Sequence, residues 1–82
     1  MNITRVNQII KVAAVFEGAV IKPKWFTWVS KKFEIKKIAM TWKSYEGAAK
    51  IIHFSVSDGN SLYEISFNTK TCEWRLDKIA VE

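Results

Sequence analysis

The chain has one cysteine, one proline, one histidine and three glycines among its 82 residues. Each scarcity excludes something. A lone Cys72 makes an intramolecular disulfide impossible, and with His53 as the only imidazole it leaves too few ligands for a standard structural zinc site. Small secreted domains lean on several bridges, so a reducing cytoplasm is the expected compartment. No apolar run approaches the ~20 residues of a membrane span. The early residues, one arginine and then an apolar stretch broken by Lys11 and Glu17, do not have the form of a signal peptide. The expectation is a soluble intracellular protein without membrane association.

Catalytic signals are equally sparse. Gly18, Gly47 and Gly59 each sit among turn residues, so no glycine-rich phosphate loop exists. Glu17, Glu34, Glu46, Glu64 and Glu73 are scattered, with no pair spaced for acid/base work. The stretch HFSVSDG holds His53, Ser55, Ser57 and Asp58. On a strand, His53 and Ser55 share a face roughly 6–7 Å apart, too far for a nucleophile to meet its base. His53 reads as a half-exposed strand residue, and Cys72 as a small residue at a strand start with no second histidine to activate it. No enzyme, cofactor or metal is expected.

What the chain does have is rings and cations. Eleven Phe, Trp and Tyr residues supply the core of a single small domain spanning 1–82. A chain this short buries only about 60–65% of its unfolded surface, so aromatic area matters. The net charge is +5, with ten Lys/Arg against three Glu in residues 1–50 and three basic against five acidic residues in 51–82. That asymmetry fits an anionic partner for the first half, or lysines that keep strand faces soluble.

From Ile21 onward apolar and polar residues alternate with the two-residue period of half-buried strands. Turn signals recur at Ser30-Lys31, Tyr45-Glu46-Gly47, Ser57-Asp58-Gly59-Asn60 and Asn68-Thr69-Lys70-Thr71. The pattern predicts an all-β fold: a small antiparallel meander, a curled sheet, or an SH3- or OB-like barrel of five to six strands. The inward sets are Ile52, Phe54 and Val56; Tyr63, Ile65 and Phe67; and Trp74 and Leu76. In 32–43 they are Phe33 and Ile35, then Ile38, Met40 and Trp42. Parity flips between Ile35 and Ile38, which predicts a β-bulge at Lys36-Lys37. It shifts again from Ile79 to Glu82, where an irregular or edge ending is expected.

The first sixteen residues read two ways. Val6, Ile9, Ile10, Ala13 and Phe16 fit a helical stripe, which would give an α+β fold with a helix over 4–16. Ile10, Val12, Ala14 and Phe16 also alternate, and the strand reading of 9–16 is preferred.

Phe16, Glu17 and Gly18, then Pro23, Phe26 and Trp28, then Trp42 form the pattern F-E-G…P-x-x-F-x-W…W. Over roughly residues 12–43 it resembles small prokaryotic β-rich proteins of unknown function. The resemblance implies strands in the N-terminal half and carries no activity with it.

The stretch IKPKWFTWVSKKFEIKK, residues 21–37, concentrates lysines around aromatics. If Phe26 and Trp28 face inward, Trp25 is the exposed ring, set among Lys22, Lys24, Lys36, Lys37 and Lys43. Rings that stack on bases beside lysines that neutralise phosphates suit single-stranded nucleic acid. The candidate binding surface is therefore Trp25, Lys22, Lys24, Lys31, Lys32, Lys36 and Lys37, for nucleic acid or another anionic partner. The blander reading packs Trp25 into a minor core. The competing function is protein–protein contact or homo-oligomerisation, motivated by Ile51 and Leu62 on nominally outward faces.

Overall fold

The computed structural model describes residues 2–81. They form seven strands: β1 (Asn2–Glu17), β2 (Val20–Trp28), β3 (Lys31–Glu34), β4 (Lys37–Glu46), β5 (Ala49–Ser57), β6 (Ser61–Asn68) and β7 (Trp74–Val81). All neighbours pair antiparallel in one sheet of order β3-β2-β1-β7-β6-β5-β4. The all-β expectation holds, with seven strands rather than five or six and a sheet that curls without closing.

The helix considered over 4–16 is overturned. Its stripe would bury Ile9 and Ile10 together, whereas Ile10 is 7% exposed and Ile9 61%. The β-branched residues of this segment fit a pleated surface, and a partner strand pairs with each part of it. Sixteen residues at ~3.3 Å each would span about 53 Å, yet the molecule's longest dimension is 35 Å. Register shifts at Arg5/Gln8 and Ala13/Ala14 provide the bends. The first part of β1, Asn2–Ile10, pairs with β7, and the second, Lys11–Glu17, with β2. β1 is thus the corner about which the sheet folds over.

A second corner lies at Ile35-Lys36. Adjacent amides there donate to opposite sides: Ile35 N–H to the Lys24 carbonyl at 2.9 Å, and Lys36 N–H to the Ser57 carbonyl at 2.8 Å. The chain leaves its ladder with β2 and joins one with β5. The bulge expected at Lys36-Lys37 is therefore corrected to a strand break at 35–36, followed by a register shift at Ile38/Met40. That shift turns Met40 and Trp42 to the outer face, against the expected inward set. Met40 opposes Ser55 and is 62% exposed, and Trp42 opposes His53.

The concave side holds the expected core of Phe54, Val56, Tyr63, Ile65, Phe67, Trp74 and Leu76, joined by Ile10 and Phe26. Phe26, Phe33 and Tyr63 pack with ring centroids 5.2–5.6 Å apart, which ties β2 and β3 down onto β6. Ile51 is buried, and it sits at the opposite end of the β5–β6 ladder from Leu62, so the two do not form one outward patch.

At the other end of β7 the irregular ending is also corrected. The strand runs to Val81 between β1 and β6, and the parity change is a register shift opposite Glu64/Ile65 (Glu82 lies outside the described residues). Cys72 is not in a strand but in the exposed turn before β7, with φ +62°.

The turns follow their chemistry. Asp58 Oδ1 accepts from the Asn60 and Ser61 amides, both at 2.8 Å, and Oδ2 from the Tyr63 hydroxyl at 2.8 Å. Burial alone would raise the Asp58 pKa, but these bonds outweigh it and lower the value. Burial and the Asp58 carboxylate push Tyr63 up to about 12. Asn68 Oδ1 receives the Lys70 and Thr71 amides at 2.9 and 3.1 Å, the Asx turn expected there. Gly18 and Gly47 take φ +59° and +58° at the first position of two-residue hairpins. The β2–β3 hairpin has no such residue: Val29 and Ser30 both adopt left-handed backbone, at φ 48° and 62°.

Candidate functional site

The sheet stays open beside Pro23. Pairs between β2 and β3 cover only Trp25–Trp28, so residues 20–23 of β2 run past the end of β3 and face the start of β4. Pro23 has no N–H to offer a ladder across that gap. It is also fully buried, because the shift at Ala13/Ala14 makes Lys24 an extra residue and turns Pro23 inward. Phe26 is 0% exposed on the same side, whereas strict alternation from Phe26 would have put Lys22 and Lys24 there instead of Pro23.

The consequence is a basic groove. Lys22, Lys24, Lys36 and Lys37 line a depression of about 230 Å³ with Pro23 and Ile35. Like charges on its two banks oppose any closure of the seam. Among the described residues only Lys22 has a carboxylate partner here, Glu17 at 3.2 Å. Trp25 is half-buried on the outer face, and the Lys32 ammonium sits 4.7 Å from its ring centroid. Trp28 faces the other way and donates from Nε1 to Gln8 at 2.9 Å. Of the expected residues, the fold brings together Lys22, Lys24, Lys36 and Lys37, with Trp25 and Lys32 beside them on β2 and β3. Lys31 pairs with Trp28 at the far end of the hairpin and stands apart. Lys43 lies well along β4, opposite Ile52, and does not line the groove.

A second feature escaped the sequence. The outer face of β4–β7 carries a polar cleft of about 390 Å³ whose walls include Ser44, His53, Ser66, Arg75 and Asp77. The hydroxyl that meets His53 is Ser44 of the neighbouring strand, Oγ to Nε2 at 2.6 Å, rather than Ser55. Trp42 stacks on the imidazole with centroids 5.2 Å apart and planes within 5°. The shift at Glu64/Ile65 makes Asp77 an extra residue in β7 and places it on this face. Glu64 adds a second carboxylate, with Lys78 Nζ 3.8 Å from its Oε2. Burial raises the Asp77 pKa; hydrogen bonding with Ser66 and the charges of His53 and Arg75 pull the other way, and Glu64 reinforces the rise. Ser44, His53 and Asp77 have the residue types of a serine relay, but no hydrogen bond links Asp77 to the ring. The readable signal was weak: the parity shift over Ile79 to Glu82 pointed to an irregular ending and did not single out Asp77, and nothing local tied Ser44 to His53.

No helix is long and apolar enough to cross a membrane among the described residues. Comparisons with protein-family models, curated proteins and solved structures give no match to this chain.

Proposed function

We propose that this protein is a non-catalytic binding module whose open seam holds the phosphates of single-stranded nucleic acid, with Trp25 as the adjoining base platform. The observation that carries the reading is the convergence of Lys22, Lys24, Lys36 and Lys37 on one groove where the sheet fails to seal. Lysines at that density attract a chain of phosphates and release its counterions. Lys32 over Trp25 places a further cation where a base would stack. The work belongs in the cytoplasm, in keeping with the single cysteine. The F-E-G…P-x-x-F-x-W…W pattern marks the strands that build this seam, and the small prokaryotic proteins it resembles are proposed relatives.

The test is an oligothymidylate titration followed by anisotropy and tryptophan fluorescence at low salt. Binding with quenching that disappears in Trp25→Ala supports the reading; no affinity at low salt defeats it.

A second reading, self-association, has its own observation. β4 is paired on one side only, and its Met40 and Tyr45 are 62% and 68% exposed. Sedimentation at rising concentration separates the two, since a strict monomer removes it.

A further inference from the structure

Beside the outer cleft an imidazole and two carboxylates converge. A ring nitrogen of His53 and carboxylate oxygens of Glu64 and Asp77 lie within 4.8 Å of one another. Two atoms of these residues, His53 Nδ1 and Asp77 Oδ2, are shut off from solvent, and no protein donor or acceptor reaches either. Buried polar atoms are nearly always paired, so two orphans in one spot require an account.

The surroundings of the ring supply it. Nε2 is engaged by Ser44 Oγ at 2.6 Å, and Trp42 stacks flat against the imidazole, so position and orientation are set. With Nε2–H donating to Ser44, Nδ1 is left with a lone pair, turned away from β4. A metal-bound histidine characteristically gives its other N–H to such an oxygen, which fixes tautomer and ring plane. The shift that makes Asp77 an extra residue is what lets β7 contribute a carboxylate beside β5 and β6.

Water alone fits this site poorly. One water donates two hydrogens and brings no charge, whereas two carboxylates meet here, with Lys78 3.8 Å from Glu64 and Arg75 on the wall beside Asp77. A cation satisfies all three atoms and offsets the charge.

We propose that His53 Nδ1, Asp77 and Glu64 bind a divalent transition-metal ion of the zinc type. Mixed imidazole and carboxylate ligands suit zinc, whereas calcium and magnesium favour oxygen-only sets. Three protein ligands leave a fourth position of a tetrahedral ion open to water or a ligand, and Arg75 stands on the wall of the adjoining cleft. The site lies on a different arc of the outer surface from the lysine seam and stands independently of it.

The experiment uses the full chain carrying Cys72→Ser, so that the exposed thiol cannot bind metal. Calorimetric titration with zinc chloride is expected to give one ion per chain. Cobalt chloride should give visible absorption bands without a thiolate charge-transfer band. His53→Gln and Asp77→Asn should each weaken zinc at least about tenfold, while Glu46→Gln on the same wall changes nothing. Ser44→Ala, a positioning change, should cost about ten- to a hundredfold. A measurement free of folding concerns is ¹⁵N NMR of the unsubstituted His53 ring, where zinc should move the Nδ1 resonance while Nε2 keeps its proton. No stoichiometric binding, binding indifferent to both ligand substitutions, or an Nδ1–H tautomer persisting at saturating zinc would each overturn the assignment.

Discussion

The seam reading makes a quantitative demand on salt dependence. Lys24, Lys32, Lys36 and Lys37 stand on or beside the groove without a carboxylate partner among the described residues, whereas Lys22 is held by Glu17 at 3.2 Å and counts for less. Four phosphates neutralised on a single strand give a slope of log affinity against log salt of about −2.8, from roughly 0.7 per contact. Raising sodium chloride from 50 to 200 mM, a fourfold change, should then weaken binding about 50-fold. Removing two cations in Lys24→Ala/Lys36→Ala should flatten the slope to about −1.4, so the same step costs only about sevenfold. Lys50→Ala/Lys70→Ala removes the same charge away from the groove and should leave the slope unchanged. Trp25→Ala should lower affinity by about 1–3 kcal/mol with the slope intact, because stacking releases no ions. Fluorescence anisotropy with a labelled oligothymidylate measures all of these. A slope near zero, or equal slopes in the two double variants, would refute the reasoning.

Three stability predictions follow from the same structure. Val29→Asn/Ser30→Gly puts residues that tolerate left-handed backbone where φ is 48° and 62°, and should gain about 1–3 kcal/mol; the thermal midpoint should rise by about 4–8 °C per kcal/mol, and a fall would show that the turn is not strained. Phe26→Ala empties a site that is 0% exposed and should cost about 3–5 kcal/mol, a large share of the 5–15 kcal/mol typical of a domain, in urea unfolding. Asp58 has a lowered native pKa, so the stability it contributes is present above its unfolded value of 3.8 and is lost as pH falls through the native value. Asp58→Ala should therefore cost about 1–2 kcal/mol at neutral pH and flatten the stability profile below about pH 4; an unchanged acid limb would contradict it.

How much could be read in advance depended on whether the deciding interaction was local. Phe54, Val56, Ile65 and Leu76 face inward as their alternation said, because strand parity is a property of neighbouring residues. The Asp58 and Asn68 turns were legible because their partners lie two to five residues away. Met40 and Trp42 were placed on the wrong face because a second shift, at Ile38/Met40, follows the break at 35–36, and only pairing with β5 decides which residue is extra. The same holds for Asp77, whose place beside His53 follows from its register against both β1 and β6.

The sequence alone determined a pleated, aromatic-cored chain with cations crowded around residues 22–37, since side-chain period, turn chemistry and charge are written residue by residue. Whether residues 4–16 would be helix or strand was left to the tertiary structure, and hydrogen bonds from β2 and β7 made them a bent strand. It also decided that Lys22, Lys24, Lys36 and Lys37 share one groove while Lys31 stands apart, and that Ser44, His53, Glu64 and Asp77 meet on the outer face. Such meetings depend on which strand lies beside which and on single-residue shifts of register, and no local preference encodes them.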